Sequence, residues 1–249
     1  MIVYPNAKIN LGLNVIEERV DGYHEVSSVV YPVKSLFDIL EVITGDVFLF
    51  SSSGICIPGE NNICVKAYDL LKEDFGIAPV KIHLHKQIPI GAGLGGGSAD
   101  GAFTLIILNK LFDLRLSNNQ LQEYALQLGA DCPFFIENTP KYVSGIGEKM
   151  SPIDLDLSEF ELKFIFPSFH ISTIDAYAAI ISKPPLTDLL SLISQPIEKW
   201  KGKVKNDFEF SAFMKYPELR IMKEKLYKDG AIYSSMTGSG SVIYGLFKK

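Results

Sequence analysis

The sequence predicts an α+β protein of two lobes, because strand-like and helix-like segments follow one another without strict alternation. A polar, irregular stretch over residues 149–159 separates a predicted N-terminal domain, residues 1–150, from a predicted C-terminal domain, residues 151–249. A chain of 249 residues is long enough for one large domain or for two small ones that share an interface.

The N-terminal half carries most of the predicted strands. Apolar side chains at every second position of residues 7–16 predict a half-buried strand with Lys8 and Asn10 on its polar face. Periodicity and turn residues predict further strands at 26–33, bounded by Pro32, at 39–43 and 47–50 as a hairpin, and at 80–85, and helices at 61–72, 98–112 and 117–128. Ser117 and Gln120 have the spacing of a capping box at the start of the last of these helices.

The C-terminal half mixes both element types. Its pattern predicts a strand at 161–166, a helix at 173–181, a polar loop, two helices within 207–228, and a closing hairpin of strands at 231–234 and 242–247. No internal repeat or low-complexity tract interrupts this pattern.

The composition excludes several classes of protein. Hydrophobic residues make up 47% of the chain and charged residues 21%, which is typical of a globular protein with a substantial core. A formal net charge of -5 leaves no electrostatic footprint for nucleic acid. No signal-peptide pattern follows Met1, and no apolar run approaches the ~20 residues that span a bilayer, so no membrane partner is predicted. Three cysteines without a CxxC pair indicate reduced thiols in a cytoplasmic protein and no metal site.

The strongest signal for function is the segment PIGAGLGGGS at residues 89–98. Its five glycines leave backbone N–H groups unshielded, and the segment runs into the predicted N-terminus of a helix. Exposed N–H groups and the positive end of a helix dipole bind anions, so the segment predicts a site for a di- or triphosphate. The residues predicted to form it are Pro89, Gly91, Ala92, Gly93, Leu94, Gly95, Gly96, Gly97 and Ser98.

Other glycine-rich motifs fit this segment less well. The spacing matches the dinucleotide fingerprint GxGxxG, with Asp113 about twenty residues farther on, but the predicted helix continues almost to Asp113 and leaves no room for a second strand. No Lys-Ser/Thr pair follows the glycines, as a Walker motif would require. The tripeptide DFG at residues 74–76 precedes the loop and no His-Arg-Asp segment exists, so we interpret this tripeptide as a turn rather than a protein-kinase motif. A purely structural glycine turn remains the other alternative.

Three segments together resemble the GHMP small-molecule kinases: PNAKINL at residues 5–11, the glycine loop, and MTGSGS at residues 236–241. Three more are similar to the branch of that family that acts on a cytidine diphosphate-linked methylerythritol: DGYH at 21–24, GADCP at 129–133 and NDFE at 206–209. The resemblance extends over nearly the whole chain. It implies the GHMP kinase fold, with an N-terminal lobe like domain 2 of ribosomal protein S5 and a ferredoxin-like C-terminal lobe. Gly101 stands where the family commonly has alanine, and a helix glycine costs about 1 kcal/mol, so slight loosening is expected there.

The resemblance also implies a reaction. ATP would phosphorylate the 2-hydroxyl of the methylerythritol unit, a step of non-mevalonate isoprenoid biosynthesis, and Mg²⁺ would accompany ATP. Another GHMP kinase, such as homoserine or mevalonate kinase, is the alternative. The partners implied are ATP and the small-molecule substrate, and the oligomeric state is not indicated.

By this resemblance Asp131 is the catalytic base and Lys8 is its partner. Asp131 lies between Gly129, which is predicted to end a helix, and Pro133, which is predicted to begin one, so it is expected near a helix N-terminus. Phosphoryl transfer needs an oriented acceptor hydroxyl and stabilisation of the charge on the moving phosphate. Asp131 is therefore expected either to take the hydroxyl proton or mainly to position the hydroxyl, while Lys8 steadies Asp131 and the phosphate.

The resemblance assigns the cytidine end of the substrate to Tyr23, His24 and Tyr177. An aromatic ring stacked on a base contributes about 1–3 kcal/mol. Small polar residues are expected to make the other substrate contacts: Asn10, Thr173, Thr237, Gly238 and Ser239. Asn61 lies in the stretch that flanks adenine in the family, although asparagines ahead of a helix are more often caps. No protein ligand for a metal is assigned.

Overall fold

The fold was analysed in a computed structural model, which describes residues 1–59 and 61–249. Its strands are β1 (Ile2–Val3), β2 (Asn6–Glu18), β3 (His24–Phe37), β4 (Ile39–Thr44), β5 (Leu49–Gly54), β6 (Val80–Lys86), β7 (Lys141–Gly145), β8 (Lys149–Pro152), β9 (Phe160–Ile165), β10 (Tyr233–Met236) and β11 (Ile243–Lys248). Its α-helices are α1 (Ile63–Phe75), α2 (Gly96–Leu111), α3 (Asn118–Leu128), α4 (Phe134–Glu137), α5 (Thr173–Ala178), α6 (Leu189–Ile193), α7 (Phe208–Lys215) and α8 (Pro217–Lys228). The predicted α+β class is confirmed.

The chain forms two compact units, neither of which is continuous in sequence. Unit 1 contains Met1–Lys8, Pro32–Ile90 and Gly95–Thr139, and unit 2 contains Ile9–Tyr31, Gly91–Leu94 and Pro140–Lys249. The chain therefore changes units between Lys8 and Ile9, inside β2, and between Leu94 and Gly95, inside the glycine loop.

Unit 1 is built on a four-stranded sheet in the order β1-β4-β6-β5. β4 and β6 are antiparallel, whereas β5 runs parallel to β6. The predicted hairpin between the segments at 39–43 and 47–50 is therefore wrong, because β6 lies between them. The N–H of Gly45 donates to Pro79 O, just before β6, instead of closing a local turn.

The helix ends in unit 1 follow the capping residues. α1 begins after Asn62, whose Oδ1 accepts from the N–H of Cys64 at 2.8 Å. It ends at Gly76, which has a left-handed φ of 61°. The interpretation of the DFG tripeptide as a turn needs correction, because Asp74 and Phe75 are the last two residues of the helix and Gly76 is its C-cap. α3 has the predicted capping box between Ser117 and Gln120.

Gly101 lies at a close contact between α2 and α1, and the loosening expected there stays a prediction. A Cβ at this position would lie 2.9 Å from Ile63 Cγ1, on α1. The glycine allows the two helices to approach closely, and an alanine there would require Ile63 to shift.

Unit 2 contains the three-stranded sheet β10-β11-β9 and most of the four-stranded sheet β2-β3-β7-β8. The predicted closing hairpin is confirmed, with Tyr233 opposite Leu246 and Met236 opposite Ile243. The predicted helical region 207–228 is two helices, α7 and α8, which are separated at Tyr216, directly before Pro217 begins α8.

Two predictions about the first strands need correction. β2 is not half-buried, because Lys8 and Asn10 on its polar face are each only 5% exposed. β3 continues past Pro32 to Phe37. The last pair that β3 makes with β7 is Val30 opposite Lys141, so the missing N–H of Pro32 interrupts no bond to that strand.

Several short elements had no recognisable sequence signal. β8 lies within the stretch at 149–159 that was expected to be irregular, and α6 and a 3-10 helix at Ile197–Lys199 lie in the expected polar loop. Across residues 1–59 and 61–249, each helix is too short or too polar to cross a membrane.

The capping box offers a direct test of local stabilisation. Ser117→Ala removes the side-chain acceptor of the Gln120 N–H and is expected to lower the free energy of unfolding by about 1 kcal/mol. Urea unfolding followed by circular dichroism measures this change. Asn119→Ala, at an exposed position of the same helix, is the control and should stay close to wild type. Equal effects of the two substitutions would contradict a capping role.

Candidate active site

The first turn of α2, in unit 1, presents backbone donors that no side chain caps. Its N-cap residue is Gly95, in a left-handed conformation with φ 68°, and no side-chain hydrogen bond caps the helix. The first turn contains no acidic residue. The N–H groups of Gly96, Gly97 and Ser98 are thus at the positive end of a 16-residue helix dipole, an arrangement that suits an anion.

Gly97 is the glycine that the fold itself does not explain. It is exposed, its φ is not positive, and a Cβ there would meet nothing within 4 Å. Alanine would stabilise the helix by up to about 1 kcal/mol at such a position. A glycine there leaves the N-terminal end of α2 open to a ligand.

Gly95 is next to Lys8, one of the two candidate catalytic residues. A Cβ on Gly95 would lie 2.9 Å from Lys8 Cγ, so the absence of a side chain lets the Lys8 chain pass. Lys8 is 5% exposed, and its Nζ lies 3.7 Å from Asp131 Oδ2. The side chain of Asp131 is 55% exposed and can meet a ligand from solvent. The structure thus brings Lys8, Asp131 and the start of α2 together within unit 1.

Asp131 is held by the turn between α3 and α4. The turn follows Gly129, the C-cap of α3, and Pro133 immediately precedes α4 rather than occupying its first position. The neighbouring Cys132 is fully buried and hydrogen-bonded to the side chain of Ser98. Burial raises the pKa of the Cys132 thiol to about 12, so this residue is a neutral packing group.

Two other residues of unit 1, Pro89 and Asn61, are predicted to bind ATP. Pro89 is half-buried in the turn after β6, and Asn61 is exposed directly ahead of the α1 cap residue, Asn62. The structure shows no contact that assigns either of them to a nucleotide.

Unit 2 holds the first half of the glycine loop. Ala92 is 7% exposed and Leu94 is 1% exposed, so both side chains anchor the loop. Gly93 O accepts a hydrogen bond from Thr237 Oγ1 at 3.1 Å. A Cβ on Gly93 would lie 2.1 Å from Thr237 O, which only glycine can accommodate.

His170 holds the start of the loop and has no motif that identifies it. Its Nδ1 is 2.6 Å from Gly91 O, and a Cβ on Gly91 would lie 2.5 Å from the His170 ring. The two residues are 79 positions apart, so no local sequence pattern could reveal this contact.

Asn10 and Thr237 form a buried polar pair. The Asn10 N–H donates to Thr237 Oγ1 at 3.1 Å, and the Asn10 side chain donates to Ser28 Oγ at 2.8 Å. Thr237 is fully buried. Since its hydroxyl already bonds to Asn10 and Gly93, its role in the fold is to join β2 to the glycine loop.

Asn206 supports the turn that contains Gly238. Its Nδ2 donates to Met236 O and to Gly238 O, both at 2.8 Å, while its Oδ1 accepts from the N–H of Phe208, the first residue of α7. The two carbonyl contacts become visible only when distant segments are brought together.

The aromatic residues predicted to bind cytidine are partly assembled. The rings of His24 and Tyr177 are 5.0 Å apart, and Tyr177 packs edge-on against Phe208 at 4.8 Å. Tyr23 is 60% exposed, and its backbone N–H donates to Asp21 Oδ1.

Two further candidates, Thr173 and Ser239, are adjacent. Thr173 is exposed at the start of α5, and its Oγ1 is 3.1 Å from Ser239 Oγ. Their hydroxyls form a small polar surface within unit 2.

The arrangement of the described side chains does not indicate a metal site. Among residues 1–59 and 61–249, no group of three or more His, Cys, Asp or Glu side chains is placed to hold a metal ion.

The sequence and fold match one enzyme family along the chain. Residues 62–138 match the description "GHMP kinases N terminal domain", and residues 189–249 match "GHMP kinases C terminal". A protein of Azobacteroides pseudotrichonymphae named 4-diphosphocytidyl-2-C-methyl-D-erythritol kinase is 50% identical over 252 residues, which cover 100% of this chain and 94% of that protein. The chain belongs to this family of kinases within the GHMP kinases.

Solved structures agree with this assignment. A crystal structure of 4-(cytidine 5'-diphospho)-2C-methyl-D-erythritol kinase superposes with a TM-score of 0.81 at 31% identity, covering 99% of this chain and 90% of that one. A homoserine kinase from Cytophaga hutchinsonii, with a TM-score of 0.69 and 16% identity over 98% and 85% of the two chains, shares the fold alone. The GHMP kinase fold inferred from the motifs is confirmed. The domain boundary at residue 150 stays a prediction, and the two matched segments lie on either side of it.

A substitution at Gly97 is expected to change protein stability and ATP binding in opposite directions. Gly97→Ala is expected to raise the free energy of unfolding by up to about 1 kcal/mol, because alanine is the better helix former. It should also weaken ATP binding by at least about tenfold, because the added methyl group occupies space where a phosphate approaches the amides. Calorimetric titration with ATP and urea unfolding measure the two effects. If Gly97→Ala binds ATP as tightly as the wild type does, the phosphates of ATP do not bind at this turn.

Proposed function

We propose that this GHMP kinase transfers the γ-phosphate of ATP to the 2-hydroxyl of 4-diphosphocytidyl-2-C-methyl-D-erythritol. The observation that carries the proposal lies in unit 1: the side chain of Lys8 passes Gly95 at the uncapped N-terminus of α2 and pairs with Asp131. The relatives' printed names support the choice of substrate. The alternatives, homoserine and mevalonate kinase, are supported only by similarity of fold, at 16% and 13% identity.

ATP would be held mainly through its phosphates. The amides at the start of α2 would donate to phosphate oxygens, and the left-handed glycines before them leave no side chain in the way. The proposal includes Gly91, Ala92, Gly93, Leu94, Gly95, Gly96, Gly97 and Ser98, with Pro89 and Asn61 nearer the adenosine. Mg²⁺ would accompany ATP and neutralise phosphate charge, held largely by phosphate oxygens and water.

Lys8 and Asp131 would act on the acceptor. Asp131, being exposed, can accept a hydrogen bond from the substrate hydroxyl and point its oxygen in line with the γ-phosphate. It either takes the proton or mainly orients the group. Lys8, buried behind Gly95, places a fixed positive charge where negative charge moves during transfer.

The cytidine end would be bound by residues of unit 2. The exposed ring of Tyr23 and the paired rings of His24 and Tyr177 offer flat surfaces for a base. Asn10, Thr237 and Gly238 are buried and would act mainly by fixing the backbone, whereas the hydroxyls of Thr173 and Ser239 remain available to the substrate. The proposal places the enzyme in the cytoplasm, consistent with three free cysteines.

The catalytic pair can be tested with variants that keep their size. Lys8→Met and Asp131→Asn are each expected to lower kcat by at least about a hundredfold, because each removes a charge from the reacting centre. Release of ADP measures the rate, and circular dichroism checks the fold.

The matched controls are Lys225→Met and Asp229→Asn, which break an exposed Lys–Asp pair at the C-terminal end of α8. Both should retain wild-type activity. An activity of Lys8→Met or Asp131→Asn within about tenfold of wild type would contradict the assignment.

The substrate is tested by comparing acceptors. ADP release should be fast with 4-diphosphocytidyl-2-C-methyl-D-erythritol and at least about a hundredfold slower with homoserine or mevalonate, which lack the cytidine contacts. Thermal stabilisation by CMP but not by AMP at the same concentration would support a cytidine pocket, and Tyr177→Ala should abolish that shift. Faster turnover of either simpler alcohol would overturn the proposal.

A further inference from the structure

A separate cluster of charged side chains lies buried next to the glycine loop in unit 1. Asp38, Lys86 and Asp100 are 0%, 3% and 2% exposed. Lys86 Nζ lies 2.7 Å from Asp100 Oδ2 and is also hydrogen-bonded to Asp38 Oδ2. Replacing a buried ion cluster by apolar side chains is often neutral or stabilising, so stability alone does not account for these three residues.

The cluster joins the two ends of the glycine loop. On the side before the loop, Asp38 Oδ1 accepts hydrogen bonds from the N–H groups of Gln87 at 2.6 Å and Ile88 at 2.8 Å. On the side after the loop, Asp100 lies in the second turn of α2. Lys86, the last residue of β6, bonds to both carboxyl groups, so the spacing between β6 and α2 depends on its ammonium group.

The cluster also contacts the loop itself. A Cβ on Gly96 would lie 3.0 Å from Lys86 Nζ and 2.8 Å from Ile88 Cγ2. Gly96 is the first residue of α2, so the ammonium group lies directly against the turn whose amides are open. The Asp38 N–H donates to Pro5 O at 2.8 Å, just before the strand that carries Lys8.

The surroundings of Asp100 disfavour its ionised form. Burial, together with the nearby Asp38 carboxylate, raises the pKa of Asp100 to about 8, although Lys86 acts in the opposite direction. Asp100 Oδ1 receives no hydrogen bond from a donor in the described part of the chain, which also disfavours its ionised form. The titratable groups facing Asp100 are Lys86 from β6, Asp38 from the turn before β4, and Cys64 from α1.

We propose that Asp38, Lys86 and Asp100 are positioning residues for the phosphates of ATP. They set the distance between β6 and α2 that leaves the loop amides open, and the ammonium group of Lys86 offsets the acidic side chains beside that turn. None of the three touches a reacting atom. This inference rests on the proposed kinase function.

Asp38→Asn tests the spacing. The variant keeps the side-chain size and an oxygen for the N–H groups of Gln87 and Ile88, but it removes the negative partner of Lys86. We expect the KM for ATP to rise by at least about tenfold, while the KM for the cytidine substrate changes by less than about twofold. If the substitution only lowered protein stability, it would reduce the folded fraction and hence the apparent kcat. It would not raise the KM for ATP while leaving the KM for the cytidine substrate unchanged.

Asp100→Asn tests the charge and remains decisive if Asp38→Asn does not fold. An amide imitates the protonated carboxyl, so the KM for ATP at pH 7 should stay within about twofold of wild type. In the wild type, Asp100 ionises above pH 8 and ATP affinity should fall by up to about tenfold per pH unit. The variant should lack that fall.

Leu71→Ala is the control for lost stability, because Leu71 is fully buried in α1 and carries no charge. It should leave both KM values unchanged. An unchanged KM for ATP in folded Asp38→Asn, a similar rise in Leu71→Ala, or identical pH curves for wild type and Asp100→Asn would overturn the inference. ATP affinity measured by calorimetry without an acceptor tests it independently of the substrate, so its failure is distinguishable from failure of the proposed function.

Discussion

The candidate active site depends on the backbone N–H groups in the first turn of α2, which no side chain caps. Every helix leaves its first N–H groups without intrahelical partners, and most helices satisfy one of them with a side-chain cap. Here Gly95 stands at the cap position and offers no side chain. The donors therefore remain open to water or to a ligand. A serine or aspartate in place of Gly95 would satisfy the helix, but it would compete with a phosphate for the same amides and collide with Lys8.

The glycines of the loop serve different purposes. Gly93, Gly95 and Gly96 each lie against another part of the protein so closely that a Cβ would collide, within 3 Å, with a backbone carbonyl or a side chain. Gly97 has free space instead. The first three make a tightly packed loop possible, and the last keeps its outer surface accessible. The same glycine-rich segment thus allows close packing within the protein and leaves backbone N–H groups open to a ligand.

Local signals predicted the helices and strands whose stabilising partners are close in sequence. The capping box of α3, the end of α1 at Gly76 and the hairpin of β10 and β11 all depend on residues a few positions apart. The predicted hairpin of β4 and β5 was wrong because strand pairing is a long-range choice. β5 pairs with β6, about thirty residues later in the chain, and the turn residues around Gly45 carry no information about that distant partner.

The sequence by itself determined the chemistry available to this protein: a glycine-rich phosphate loop, Lys8 on the polar face of a strand, and Asp131 between a helix end and a proline. Only the tertiary structure decided which groups support that chemistry. Three supporting contacts join residues that are far apart in sequence: His170 with Gly91, Asn206 with Gly238, and Lys86 with its two carboxyl partners. Each local sequence looks ordinary, because a buried polar side chain acquires its role from the partner that satisfies it, and that partner is brought near only by folding.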